Sequence, residues 1–395
     1  MGKDDEILNN MKEPYKRHVK KIIEECKRTN INHRWDDLFQ RKKPSLVLSF
    51  PYGDGKKDVV IFDDKDAKQL LAQDFSDVVF VPEYTSAICS KKKNFIETYI
   101  SCFNKLEDKF SILSSLTDIS YRDVESFSKI GKPTEFTLTN ECNTSMSISI
   151  SEPSDIFKIF SSYSEGDVIL TAKIQGVTFS SVDEVKLIIR KLLDSLFKQI
   201  LNSHVIALYV PQEHPIKYLF PDEYITKRDR TIQFPKYEYD NNTFRLYWRA
   251  KSVIEMPLMQ YLIYYQILEF YFSKYSKSYF KEEKQLRDTI KGILSLDEFN
   301  SVIFTKKVKE YFHQDYRLVS RKILDANNKK YDLLNQFSDR IYDIRCKIVH
   351  TKKADKILPF TIEEELLENY DLKMLERVID KVLNIYRKPI SFVNW

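Results

Sequence analysis

Glycine is scarce in this chain, seven residues in 395. That excludes collagen-like and linker-like designs and argues against a glycine-rich phosphate cradle. The one faint candidate, Gly53-Asp54-Gly55-Lys56-Lys57, lacks the spacing of a phosphate loop and reads better as a hairpin tip. The five cysteines (Cys26, Cys89, Cys102, Cys142, Cys346) are dispersed, odd in number and form no C-x-x-C pair. They argue against a disulfide framework or a structural zinc site and fit a reducing cytosol. No H-E-x-x-H occurs, and no cofactor or metal is expected. No run of about 18 uncharged apolar residues is present, so no membrane span is expected. The nearest, Met256–Phe272, is Tyr-rich and carries Glu269, as befits a buried helix. The beginning of the chain has no apolar signal-peptide core, and a cytoplasmic protein is expected.

What is present is a large apolar fraction, 43%, beside 31% charged residues, with 24 Tyr and 26 Phe. These values describe a globular chain able to bury a sizeable core. The net charge is +5, and the basic excess sits in residues 246–395. Such a mild excess permits a polyanionic partner without demanding one.

Hydropathy patterning predicts an α+β protein in two parts: a mixed α/β region over 1–245 and an all-α helical bundle over 246–395. In the first part, residues 5–29 have helical periodicity. Ser45–Phe50 and Asp58–Phe62 flank turn chemistry at Pro51–Gly55, a hairpin. Val78–Val81 reads as a strand and Asn94–Phe110 as a helix. Glu135–Thr139, Met146–Ser151 and Asp167–Ile174 alternate like an antiparallel meander. Val182–Leu201 is an amphipathic helix, and Val205–Val210 a strand. Residues 211–245, polar and containing four prolines, read as a connection. In the second part, helices are predicted over Met256–Tyr279, Lys281–Ser295, Ser301–Phe312, Arg317–Asp325, Lys330–Lys352 and Ile362–Tyr386.

The candidate motif is Arg345-Cys346-Lys347-Ile348-Val349-His350. Its Arg-x4-His spacing is not informative alone, since Arg28 and His33 repeat it at a helix end running into a polar turn. Context separates the two pairs. Arg345 and His350 follow a long amphipathic run, Leu333 to Ile344. About eighty residues upstream lies the apolar helix Pro257–Glu269, with an acid at its end. This arrangement resembles the HEPN superfamily, in which a long first helix carries an acidic residue and a later helix carries R-x4–6-H. The resemblance spans about residues 250–390. Cys346 departs from the pattern, because many active members have a polar residue there, often Asn, and the departure bears on substrate positioning.

The resemblance implies a metal-independent endoribonuclease in which Arg345 and His350 are catalytic and Glu269, Lys347, Arg340 and Asp343 support them. RNA brings its own nucleophile, the 2′-hydroxyl. A histidine titrating near neutrality can transfer the protons, and an always-charged guanidinium can hold the phosphate oxygens. Five residues along a helix turn about 140°, so both side chains cannot face one phosphate from an undisturbed helix. Either the helix ends near Val349 or two chains contribute. The resemblance implies the second, a homodimer with a composite site acting on cellular RNA such as tRNA, as toxins and anti-phage effectors do. The first part would then hold a sensor for a ligand or regulatory partner. Two alternatives stay open: a non-catalytic RNA- or partner-binding helical module, and a regulatory or scaffold protein that dimerises through its helices. Tyr261, Tyr264, Tyr265 and Tyr271 could stack bases, but core packing explains them better.

Overall fold

The computed structural model describes residues 3–36, 45–52, 55–84, 86–102, 135–161, 170–204, 208–210, 232–253, 256–278, 281–303, 331–349 and 367–391, with single positions within 112–116 and 319–330. It is α+β, with the sheets in the N-terminal part and helices in the C-terminal part. Two compact units result. One holds the chain through Lys236 together with Ile390 onward, the other Tyr237–Pro389.

In the first unit the predicted 5–29 helix is two, α1 (Lys3–Asn9) and α2 (Tyr15–Thr29). Pro14 between them has no amide to donate, and its ring would clash with the preceding turn, so the helix restarts there. Strands β1 (Asn32–Asp36), β2 (Ser45–Tyr52) and β3 (Gly55–Ile61) form an antiparallel sheet in that order. The hairpin is as the turn residues predict, and Gly53 and Asp54 lie outside the described residues. Strand β1 was not foreseen, because its residues, Asn-His-Arg-Trp-Asp, are mostly polar. It is an edge strand, and polar side chains suit an edge. Its Arg34 pairs with Asp58 at 2.6 Å, and Trp35 Nε1 donates to Asp4 at 3.0 Å. Pro51 is tolerated in β2 because β1 reaches only as far as Ser49, leaving Pro51 paired on one side alone.

Helix α3 (Asp64–Ala72), capped by Asp63, leads to the short strand β4 (Val78–Phe80). With β5 (Ala87–Ser90), β6 (Phe95–Cys102), β7 (Glu135–Thr139), β8 (Ser147–Ser151) and β9 (Leu170–Gln175) it forms a second antiparallel sheet, ordered β4-β5-β6-β9-β8-β7. The predicted meander is therefore present, with helix α4 (Asp155–Ser161) inserted between β8 and β9. The helix predicted over Asn94–Phe110 is corrected: Phe95–Cys102 is a strand in the middle of the sheet, and 103–110 lie outside the described residues. Period two wins here, since Ile96, Thr98 and Ile100 are buried on alternate positions. Buried Glu97 on the same strand accepts from Ser154 N at 2.9 Å, Thr171 Oγ1 at 2.7 Å and the Ser154 hydroxyl. Burial pushes its carboxyl up, and these donors pull it back. Helix α5 (Val182–His204) buries Val185, Ile188, Leu192, Leu196 and Ile200, and β10 (Leu208–Tyr209) pairs with the end of β6.

The second unit opens and closes on a strand pair, β11 (Tyr237–Glu238) with β12 (Lys388–Pro389). Part of the stretch read as a connection is helix α6 (Asn241–Ser252), because Asp240 caps it by accepting from Asn242 N and Thr243 N. The first long helix divides at Tyr271 into α7 (Pro257–Phe270) and the turn α8 (Phe272–Tyr275). Then come α9 (Glu282–Ile293), the single turn α10 (Leu296–Glu298) and a wide turn at Phe299–Ile303. Helix α11 (Leu333–Val349) carries Arg345, and α12 (Lys373–Tyr386) follows a second wide turn, Leu367–Leu372. The predicted Arg317–Asp325 helix is corrected: Val319, Ser320, Lys322, Leu324 and Asp325 are not helical. Several of their backbone groups bond to α11 side chains instead. Tyr261, Tyr264, Tyr265 and Tyr271 are buried, in keeping with the packing reading.

One backbone position is demanding. Gly176, just after β9, has φ of +72°, and a Cβ there would lie 2.0 Å from the Ser145 carbonyl oxygen. Gly176→Ala is expected to cost about 2 kcal/mol or more, read from urea unfolding of the full chain. An unchanged midpoint would show that the turn relaxes freely.

Candidate active site

Helix α11 is built around an apolar stripe, Leu334, Phe337, Ile341 and Ile344, all buried. Two polar sets flank it. Gln336, Arg340, Asp343 and Lys347 step by four, three and four residues and so share one side. Arg345 lies about 140° around from Arg340.

The Arg345 side meets two other helices. Its Nη2 lies 3.2 Å from Oε1 of Glu282, the first residue of α9. Glu269, in the last turn of α7, is 3.9 Å away. Tyr265, one turn earlier on α7, donates its hydroxyl to the same Glu282 oxygen at 2.7 Å. The guanidinium carbon lies 5.4 Å from the Tyr265 ring centroid, within cation–π range. The Arg345 side chain is 20% exposed, so the cluster is neither solvated nor sealed.

The electrostatics follow from this packing. Burial lowers the Arg345 pKa, but the Glu282 charge, Tyr265 and Cys346 outweigh it, and the guanidinium ends above its ordinary value. Glu269 is pushed up by burial and by the charge of Glu282, with Arg345 opposing. Tyr265 is held protonated by burial and by its hydrogen bond to Glu282. The result is a fixed cation, two carboxylates of unequal proton affinity, and a phenol locked as a donor. Such a set can hold a guanidinium in one orientation toward an anionic ligand.

Of the residues singled out from sequence, Glu269 and Arg345 come together. His350 lies outside the described residues. Arg340, Asp343 and Lys347 are on the other side of the helix, and their groups are engaged. Arg340 is fully buried, with Nε and Nη2 on the two Asp371 oxygens at 2.6 and 2.7 Å. Its Nη1 donates to the carbonyls of Ser320 and Lys322. Lys347 donates to the Val319 carbonyl at 2.7 Å, and Asp343 accepts from Ser320 Oγ at 2.7 Å. The supporting role expected for these three is therefore corrected: they strap a non-helical segment to α11, and buried Arg340 has no face to offer a phosphate.

Two residues at the cluster, Glu282 and Tyr265, were not foreseen. Glu282 belongs to an acidic first turn, Glu282-Glu283, where the helix dipole alone explains acids. Tyr265 sits four residues before Glu269, one helical turn away, and is otherwise lost among the other tyrosines. The decoy pair is held elsewhere: Arg28 pairs with Glu25, and His33 Nε2 is 3.3 Å from Asp4.

Compared with known proteins, the chain matches no family model, no curated protein and no solved structure. Among the described residues no group of three or more His, Cys, Asp or Glu is arranged to hold a metal ion, and no helix is long and apolar enough to cross a membrane.

The Glu269 shift has a sign that can be read. A carboxyl whose folded pKa is raised contributes stability below its ordinary value, 4.5, and loses it as pH rises through the folded value. Glu269→Gln is expected to remove that loss. The gap between urea midpoints near pH 4.5 and pH 7 should shift in favour of the neutral end. A Gln variant with the pH dependence of the parent would contradict the electrostatic reading of the cluster.

Proposed function

We propose that the C-terminal helical unit is a metal-independent endoribonuclease of the HEPN type, acting in the cytoplasm on cellular RNA, with Arg345 and His350 as its catalytic pair. The supporting observation is the meeting of Arg345, from the later helix, with Glu269 near the end of the first long one. These are the two positions that the resemblance pairs, and Glu282 and Tyr265 reinforce the contact.

In this reading His350 takes the proton of the 2′-hydroxyl. The 2′-oxygen forms a bond to phosphorus, and the 5′-oxygen leaves with a proton. Arg345 stabilises the charge that builds on the non-bridging oxygens. The products are a 2′,3′-cyclic phosphate and a 5′-hydroxyl. Glu269 and Glu282 act as positioning residues that aim the guanidinium. Two chains supply one site, so the active species is a homodimer. The N-terminal unit serves as the sensor that directs or restrains cleavage, as in a toxin or anti-phage effector.

Purified full-length protein incubated with total RNA in EDTA should leave 2′,3′-cyclic phosphate ends. His350→Ala should reduce cleavage by roughly 10²–10⁴-fold while the protein stays folded and dimeric. Arg345→Lys, which keeps the charge but loses the planar grip, should fall nearly as far. RNA bound without cleavage by the unaltered protein would favour a binding module, and neither binding nor cleavage would leave a scaffold.

A further inference from the structure

The core-facing row of the small sheet has one residue out of character. In register across β2 and β3, Leu46 faces Ile61, Leu48 faces Val59, Phe50 faces Lys57, and Tyr52 faces Gly55. Leu46, Leu48, Phe50, Val59 and Ile61 are all buried. Lys57 shares their side of the strand, so its stem joins an apolar row. Its amine lies 4.7 Å from the centroid of the Phe80 ring and 5.5 Å from that of Tyr52. Phe80 in turn packs on Phe50 at 6.1 Å and Phe160 at 5.3 Å, which makes the cage part of the core.

A lysine in such a place ordinarily has a carboxylate partner. Burial alone moves this amine, downward, and no charged neighbour contributes to the shift. The Tyr52 hydroxyl is also buried with no hydrogen-bond partner. An apolar residue at position 57 would complete the row without desolvating a charge. Lys57 is nevertheless half-buried rather than sealed, so a small molecule can reach it.

We infer that Lys57 is a nucleophilic amine in the N-terminal unit that captures a small carbonyl compound, an aldehyde with a flat apolar body, as a Schiff base within the Tyr52–Phe80 cage. Amines freed of solvent and counter-charge react in their neutral form, and aromatic walls suit an apolar aldehyde. In the step, the nitrogen lone pair forms a bond to the carbonyl carbon while the C=O π pair moves to oxygen, which takes a proton. The carbinolamine loses water, the nitrogen gives up its remaining proton, and a C=N bond results. No oxidant or reductant is consumed. Tyr52 supplies a phenol in the same cage able to hand over a proton in the dehydration. The inference is independent of the nuclease reading and concerns the unit to which that reading assigns sensing.

The test is labelling of the full chain with limiting benzaldehyde and cyanoborohydride near neutral pH, which fixes the imine as a benzylamine, followed by peptide mapping. Lys57 is expected to react faster than the exposed neighbour Lys56 by roughly tenfold or more. Lys57→Met is expected to lose that adduct with no drop in the urea midpoint. Adducts scattered over exposed lysines, or a Lys57 that stays unlabelled while others react, would overturn the proposal. The labelling of the unaltered chain decides the matter even where the variant folds poorly.

Discussion

The C-terminal unit depends on one buried ion pair. Arg340, with no exposed surface, grips Asp371 through two parallel hydrogen bonds and spends its remaining nitrogen on the carbonyls of Ser320 and Lys322. A guanidinium taken out of water is costly unless each of its donors is met, and here the partners come from three stretches of chain. The pair therefore does more than neutralise charge. It fixes α11 against the Leu367–Leu372 turn that leads into α12, and it closes backbone groups that would otherwise be orphaned near Ser320. Lys347 and Asp343 extend the same strap by one and two turns.

Everything at the candidate site inherits that placement. Once one polar side of α11 is committed to the strap, the helix cannot rotate, and Arg345 must face α7 and α9. There it finds Glu282, Glu269 and Tyr265 in an order set by charge and burial. The two carboxylates bind the guanidinium while leaving it partly exposed, and Tyr265 holds the nearer of them in position. An arginine so arranged is pre-oriented, and in the ribonuclease reading it meets a developing phosphate charge without first reorganising. The same carboxylates compete with that phosphate. Its grip on RNA is thereby set by the difference between two electrostatic partners, a property suited to a site that must stay quiet until directed.

Much of the architecture was legible in the residues. The hairpin at 45–61, the meander ending at Gln175 and the amphipathic runs of α5 and α11 have patterns with one physical reading. The misreadings have identifiable causes. Phe95–Cys102 mixes residues tolerated in both helix and strand, and only its pairing on both sides decides for the strand. β1 is polar because it is an edge, so hydropathy missed it. Asp240 capping revealed α6 only once the chain around it was in place. At the site, Arg345 and Glu269 were separable from sequence because their context is periodic. Glu282 was not, since a dipole-stabilising acid and an arginine-orienting acid look alike in one dimension. Arg340 and Lys347 look like phosphate binders by charge alone, and the carbonyls that consume them come from parts of the chain that no local pattern connects to α11.

The unfolding free energies of two variants, measured in urea on the full chain, test the strap most directly. Asp371→Leu leaves a buried guanidinium without its anion and should lose about 3–5 kcal/mol. Arg340→Met combined with Asp371→Leu removes the uncompensated charge and should recover a substantial part of that loss. A single variant as stable as the parent, or a double variant no better than the single, would contradict the view that this pair holds α11, and with it Arg345, in place.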